Sequence, residues 1–141
     1  MKDNNNRLAE AFRLANGVLL DNRLAKAAMS EALGTYDNRP TDELVALYER
    51  WGGSGAGLII SGNVMIDRRA IGEPGNVVIE DEADLAILKR WTQAATRHGA
   101  AFWAQLNHPG KQATKGLNAY TIAPSAVPFR KDMQAIFETP S

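Results

Sequence analysis

Gly57-Leu58-Ile59-Ile60-Ser61-Gly62 is the stretch on which the fold turns. It is short, continuously apolar at its centre and rich in branched side chains. That is the pattern of a parallel strand covered on both faces, not of one alternating between core and water. Such a strand needs a helix on either side of it in sequence, and the flanks supply both. Upstream, Pro40-Thr41-Asp42-Glu43 gives a helix start with Thr41 as N-cap and acids in the first turn. Leu44, Leu47, Tyr48 and Trp51 follow at helical spacing, and Gly52-Gly53 ends the element. Downstream, a long loop with Pro74-Gly75 and an acidic stretch from Glu80 to Asp84 leads into a second amphipathic helix. Its stripe is Ile87, Leu88, Trp91, Ala94, Ala95 and His98, and Gly99 ends it. Ala101-Phe102-Trp103-Ala104-Gln105-Leu106 then reads as another strand of the same kind.

Further out the signals weaken. Arg23-Leu24-Ala25-Lys26-Ala27-Ala28-Met29 leans apolar and predicts a first strand near 23–28, despite alanines that favour strands little. Before it, Phe12 to Leu20 sets Asn16-Gly17 between two short apolar arms, a hairpin signal. Residues 1–11 form a polar segment ahead of a domain spanning 12–141, whose part after Leu106 is loop-like and contains four prolines. The order is hairpin, then β-α-β-α-β, then loop, which implies parallel pairing through right-handed crossovers. Both a (β/α)8 TIM barrel and an open doubly wound sheet accept this opening. The hairpin favours the barrel, whose bottom it can plug. Periodicity alone does not decide between them; a complete barrel takes about 250 residues, so in the barrel reading 141 residues with about three βα-type units are an α/β fold that is the N-terminal portion of a TIM barrel.

Composition narrows the function. Hydrophobic residues at 45% and charged residues at 23% are those of a globular domain rather than a disordered one. Sixteen basic residues balance sixteen acidic ones along the chain, so no footprint for nucleic acid is present. Cysteine is absent, which excludes disulfides and thiolate metal sites and agrees with a cytoplasmic location. The start Met1-Lys2-Asp3-Asn4-Asn5-Asn6 is polar where a signal peptide needs an apolar stretch, and no apolar run approaches the ~18 residues of a membrane span, so no membrane association is expected.

Gly53-Ser54-Gly55-Ala56-Gly57 invites a dinucleotide-loop reading, but these glycines follow a helix and lead into a strand, the reverse of what places a phosphate at a helix N-terminus. They read as a tight turn. Gly110-Lys111-Gln112 lacks the upstream glycine and the hydroxyl of a P-loop. His98 and His108 are the only histidines, too few for a metal site without cysteine. His98 reads as a packed residue on the apolar face at its helix end, and no Ser/His/Asp set can be assembled around His108.

What remains lies at the C-terminal ends of the three expected strands: Ala27-Ala28-Met29-Ser30, Ser61-Gly62-Asn63, and Gln105-Leu106-Asn107-His108-Pro109-Gly110-Lys111. That rim is where α/β barrels build active sites. A flat flavin ring there requires a carboxamide for its pyrimidine edge, a glycine that permits close approach, and backbone N–H groups near its redox-active nitrogen. Gln105, Gly62 and the Met29-Ser30 backbone offer these in turn. A glycine and a glutamine after strands also occur in ordinary turns, so the residues alone leave flavin binding open.

The ordered blocks Asn22 to Ser30, Ile60-Ser61-Gly62-Asn63-Val64, Gly72-Glu73-Pro74-Gly75-Asn76, Gln105 to Gln112 and Ala123 to Pro128 together resemble the Old Yellow Enzyme (NADH:flavin oxidoreductase) family. The resemblance implies an FMN-binding barrel that takes hydride from NADH or NADPH and passes it to an activated alkene or related small-molecule acceptor. It implies that Ala27, Ala28, Met29 and Ser30 line the flavin, with Ser30 where relatives often carry Thr or Cys. Gly62 would admit the ring and Gln105 would hold its pyrimidine edge. Ala28 stands where proline is common, and Lys111 stands where the family's His-x-Gly-Arg element has arginine, so a bidentate role is not carried over. The family's substrate-holding His/Asn pair, proton-donating tyrosine and phosphate loops lie later in the barrel, so catalytic residues are not assigned.

Three βα-type units leave strand edges unpaired, and the isolated chain is expected to bind FMN weakly or not at all. Two other readings stand beside this: a complete small α/β binding or assembly module without redox chemistry, and a barrel completed by a second chain or by homo-oligomerisation.

Overall fold

The computed structural model describes residues 7–141. The first six residues of the expected polar segment lie outside the described residues, and Arg7–Ala9 form a single 3-10 turn. Six strands and two helices follow: β1 (Phe12–Arg13), β2 (Leu19–Leu20), β3 (Ala25–Lys26), α1 (Asp42–Gly52), β4 (Leu58–Met65), β5 (Val77–Val78), α2 (Leu85–Thr96) and β6 (Ala101–Asn107).

The expected hairpin forms, with Phe12 opposite Leu20 and Arg13 opposite Leu19. Its turn is not the two-residue kind that Asn-Gly often makes. Leu14 N–H bonds to the Val18 carbonyl at 2.8 Å and Gly17 N–H to the Leu14 carbonyl at 2.9 Å. Gly17 takes φ 90°, the left-handed position of a three-residue loop, where a side chain would be strained.

The central strand is β4, and every partner runs parallel to it. On one flank β3 pairs near its start, Ala25 with Leu58 and Lys26 with Ile59, and β5 pairs near its end, Val64 with Val77 and Met65 with Val78. On the other flank β6 runs along it from Leu58 opposite Ala101 to Met65 opposite Asn107. Three expectations need correcting. The strand expected near 23–28 is a two-residue strand, because Ala27 to Ser30 leave the sheet to cross over β4. The strand expected to stop at Gly62 continues to Met65. The loop after it contains β5, which is too short to show periodicity and is held by the extension of β4.

α1 and α2 cover one face of this sheet. Leu44, Tyr48, Trp91 and Ala95 from the helices meet Ile59, Val64, Val77 and Ala100 in one buried cluster. Tyr48 is its centre: the ring makes edge contacts with Trp51, Trp91 and Phe102 at centroid distances of 4.9, 5.2 and 5.4 Å. His98 does not join this face. α2 ends at Thr96, so His98 falls in the following turn and is exposed.

The first helix starts as its sequence dictates. Thr41 Oγ1 accepts the Leu44 N–H at 3.2 Å while donating to the Leu33 carbonyl at 2.7 Å. Thr41→Ala is therefore expected to cost about 0.5–2 kcal/mol, read as a lower urea midpoint with unchanged slope; Thr41→Ser should recover most of it, and equal losses in both variants would reject the cap.

Among the described residues nothing pairs with the far edge of β6. Trp103 is 43% and Leu106 68% exposed, although neighbouring Phe102 packs under the helices. Among the described residues no helix is long and apolar enough to cross a membrane.

Candidate functional site

The C-terminal ends of β3, β4 and β6 converge around an irregularity in β4. Pairing with β6 is regular up to Ile60 opposite Trp103 and resumes at Asn63 opposite Gln105, so Ser61 and Gly62 together face the single residue Ala104. This is a β-bulge, a device that redirects side chains beside functional sites. A bulge leaves main-chain groups without ladder partners, and side chains take their place. Ser61, fully buried, offers Oγ to the Gln105 N–H at 2.9 Å. The Glu31 carboxylate accepts the Gly62 N–H at 2.8 Å, and the Tyr48 hydroxyl oxygen lies 3.1 Å from the same nitrogen while donating its proton to Glu31. Lys26 Nζ donates to the Ile60 carbonyl at 3.2 Å and the Ala27 carbonyl at 3.0 Å, and sits 4.0 Å from the Trp51 ring centroid.

The electrostatics follow from burial. Desolvation pushes the Tyr48 hydroxyl pKa well above its ordinary value, and the Glu31 carboxylate beside it adds to the shift, so Tyr48 stays a proton donor. Burial pushes the Lys26 ammonium down, partly opposed by attraction to Glu31.

The residues singled out in sequence are brought into one neighbourhood. Ala27, Met29, Ser30 and Gln105 are exposed, Ala28 is half-buried and Gly62 is buried. The direction in which a Gly62 side chain would point is filled by the Met29 carbonyl oxygen and the Glu31 carboxylate, so the close approach this glycine permits is made by the 27–31 segment. Ser30 Oγ donates to Glu73. Asn107 Nδ2 donates to Asn63 Oδ1 at 3.2 Å, and these two with Gly72, Glu73, Pro109 and Gln112 line a depression of about 210 Å³. Glu31 and Tyr48 were not predicted from sequence as site residues, and Ser61 and Glu73 were named there without a role. Glu31 directly follows the Ala27-to-Ser30 block, which was the available signal; Tyr48 was visible only as part of a helix stripe.

Other candidates settle into structural roles. Asn22 fixes the turn after α1, its Nδ2 donating to the Gly55 carbonyl at 2.7 Å and its Oδ1 accepting the Gly57 N–H at 2.9 Å. Lys111 stacks over Phe129 at 4.6 Å. His108 Nδ1 accepts the Gly110 N–H at 3.1 Å. Among the described residues no group of three or more His, Asp or Glu is placed to hold a metal ion.

A parallel sheet with helices on its outer face and polar residues gathered at the strand ends is barrel geometry, and comparison with known proteins agrees. The model of the NADH:flavin oxidoreductase / NADH oxidase family matches residues 8–139. The chain belongs to this family. It is 33% identical over 120 residues to an NADH-dependent flavin oxidoreductase of Hypocrea jecorina, covering 79% of this chain and 30% of that protein. It is 34% identical over 131 residues to one of Talaromyces variabilis, covering 86% of this chain and 32% of that one. The chain thus spans about a third of the length of these relatives. Among solved structures, the Old Yellow Enzyme of Trypanosoma cruzi superposes with a TM-score of 0.77 at 23% identity, over 89% of this chain and 36% of that one. Morphinone reductase superposes with a TM-score of 0.74 at 27% identity, over 86% of this chain and 32% of that one. The fold is that of part of a TIM barrel.

Membership of this family implies FMN as cofactor and NADH or NADPH as reductant. The donor set here suits the flavin ring: small side chains at Ala27 and Ala28, and an exposed carboxamide at Gln105 one strand away. It does not suit the phosphate. Glu73 lines the nearby depression, and Arg68 and Arg69, beyond the end of β4, are paired with Glu80 and Asp67, each at 2.8 Å.

Proposed function

We propose that this chain forms the part of an FMN-dependent oxidoreductase barrel that receives one side of the flavin ring. The observation that carries this reading is the convergence of the Ala27-to-Ser30 segment, the Gly62 bulge and Gln105 at adjacent parallel strand ends. Bound FMN would accept hydride from NADH or NADPH and deliver it to an activated alkene or related acceptor. The residues of this chain do the holding. Ala27 and Ala28 would lie against the ring, the Met29 and Ser30 backbone N–H groups would be offered to its redox-active nitrogen, and the Gln105 carboxamide would hold its pyrimidine edge. Gly62 acts from beneath, by letting the 27–31 segment close over β4.

Without a phosphate anchor these contacts are few, so the chain alone is expected to hold FMN weakly and to lose it on gel filtration. A complete barrel, from one longer chain or from a partner supplying the remaining units, is expected to retain one FMN per site, with Gln105→Ala weakening it about tenfold, the ~1–3 kcal/mol of an unpaired polar edge. Visible absorbance and flavin fluorescence after gel filtration read both. Stoichiometric FMN on the isolated, monomeric chain would reject the need for completion; an unchanged affinity in Gln105→Ala would reject the assigned role. Catalysis then depends on residues outside these units. A cytoplasmic location and a small-molecule acceptor belong to this same reading.

The bare β6 edge favours a second contribution, assembly. Parallel sheets are normally covered on both faces, and Leu106 at 68% exposure marks a face of β6 that a further element would cover. Analytical ultracentrifugation of the chain with and without the remaining barrel units tests it, and a strictly monomeric chain in both cases would remove it.

A further inference from the structure

β3 pairs with β4 through only two residues, yet the main chain beyond it must be held in place if Ala27 to Ser30 are to present a defined surface. No ladder does this. Glu31, next to Ser30, reaches back to β4 and accepts the buried Gly62 N–H at 2.8 Å. Tyr48, from α1, donates to the same carboxylate and its oxygen lies 3.1 Å from the Gly62 nitrogen. The three groups close a ring of hydrogen bonds, and the Met29 carbonyl fills the space left by the absent Gly62 side chain.

We infer that Glu31 is a positioning residue: clamped with Tyr48 on the bulge of β4, it fixes the Ala27–Ser30 segment in the place from which it meets the flavin. The inference rests on the FMN reading for the identity of the ligand and on geometry for everything else. A carboxylate suits the role because one of its oxygens, Oε1, accepts the Gly62 N–H and the Tyr48 O–H at once, and charged acceptors make the stronger bonds. The low local polarity that keeps Tyr48 protonated means that its donor is always available to Glu31. Losing Glu31 would leave the Tyr48 hydroxyl without its acceptor and the Gly62 N–H with only the longer 3.1 Å contact to the Tyr48 oxygen, and would release the segment; a glutamine keeps one acceptor oxygen in place and should largely preserve the clamp.

The test compares wild type, Glu31→Ala, Glu31→Gln and Tyr48→Phe by amide hydrogen exchange at Gly62 and by the amide chemical shifts of Met29, Ser30 and Gln105, with FMN titrated to millimolar concentration. Glu31→Ala is expected to speed exchange at the bonded Gly62 N–H at least tenfold and to raise the FMN concentration for half-maximal shift at Met29, Ser30 and Gln105 by a similar factor. Glu31→Gln should stay within about threefold of wild type in both, and Tyr48→Phe should fall between. Thermal melting by circular dichroism separates a loosened segment from an unfolded chain, and if Glu31→Ala fails to fold, Tyr48→Phe carries the same comparison. Wild-type exchange rates in Glu31→Ala would overturn the clamp. Fast exchange with an unchanged FMN response would overturn its positioning role and leave the flavin reading intact. No FMN response in the wild type would refute the flavin reading for this chain, and with it the inference, whatever the exchange shows.

Discussion

Replacing Tyr48 by alanine is expected to bring the chain to the edge of unfolding at room temperature. Its side chain is completely buried and touches Trp51, Trp91 and Phe102, so removing it deletes the contact between α1, α2 and β6 together. Large aromatic truncations of this kind cost about 3–5 kcal/mol. A domain of ordinary stability has only about 5–15 kcal/mol in hand, and a sheet with a bare edge sits low in that range. The comparison with Tyr48→Phe separates packing from hydrogen bonding. Phenylalanine keeps the ring contacts and loses one buried hydroxyl, a cost nearer 1 kcal/mol. Urea unfolding followed by tryptophan fluorescence reads both. A Tyr48→Ala chain within about 1 kcal/mol of wild type would show that the helical layer does not rest on this ring.

The second large effect is expected at Gly62. An added methyl would meet the Met29 carbonyl oxygen and the Glu31 carboxylate. The carboxylate ends a flexible side chain and can move, at the loss of its bond to the Gly62 N–H; the carbonyl is main chain and cannot move without carrying Ala27 to Ser30 with it. Gly62→Ala should therefore cost about 1–3 kcal/mol and displace that segment. Adding Glu31→Ala should not rescue it, because the Met29 clash persists. Restoration of wild-type stability in the double variant would mean that the carboxylate alone was in the way.

Much of the fold was legible in the sequence for a physical reason: burial imposes a period. Ile59 between the helix stripes of Leu44, Tyr48 and of Trp91, Ala94, Ala95 announced a covered parallel strand, and the two helices and β6 lie where those stripes place them. The failures occur where side chains replace main-chain pairing. Ser61-Gly62-Asn63 reads as a strand ending, since a polar residue, a glycine and an amide stop an apolar run. β4 continues through them because Ser61 supplies an acceptor to Gln105 N–H while Glu31 and Tyr48 take up the Gly62 N–H. Partners 14 and 31 residues distant in sequence leave no local trace. β3 looked longer than it is for the complementary reason: Ala27 and Ala28 are apolar enough to resemble strand, but Glu31 anchors the chain onto β4 instead of into the sheet. The candidate site was thus legible as a set of residues at strand ends, and illegible as the scaffold that holds them.

The bare edge of β6 also has a consequence for biosynthesis. In any longer protein that begins with these units, the same edge emerges from the ribosome before whatever covers it. One further βαβ unit is roughly 30 residues and follows the 35 that separate Leu106 from Ser141, so at about 5–20 residues per second Trp103 and Leu106 would wait roughly 3–13 seconds for cover. That interval is long compared with sheet formation and with diffusional encounter between neighbouring nascent chains. Slow codons just beyond this boundary would lengthen it, and chaperone occupancy measured along the message should peak there.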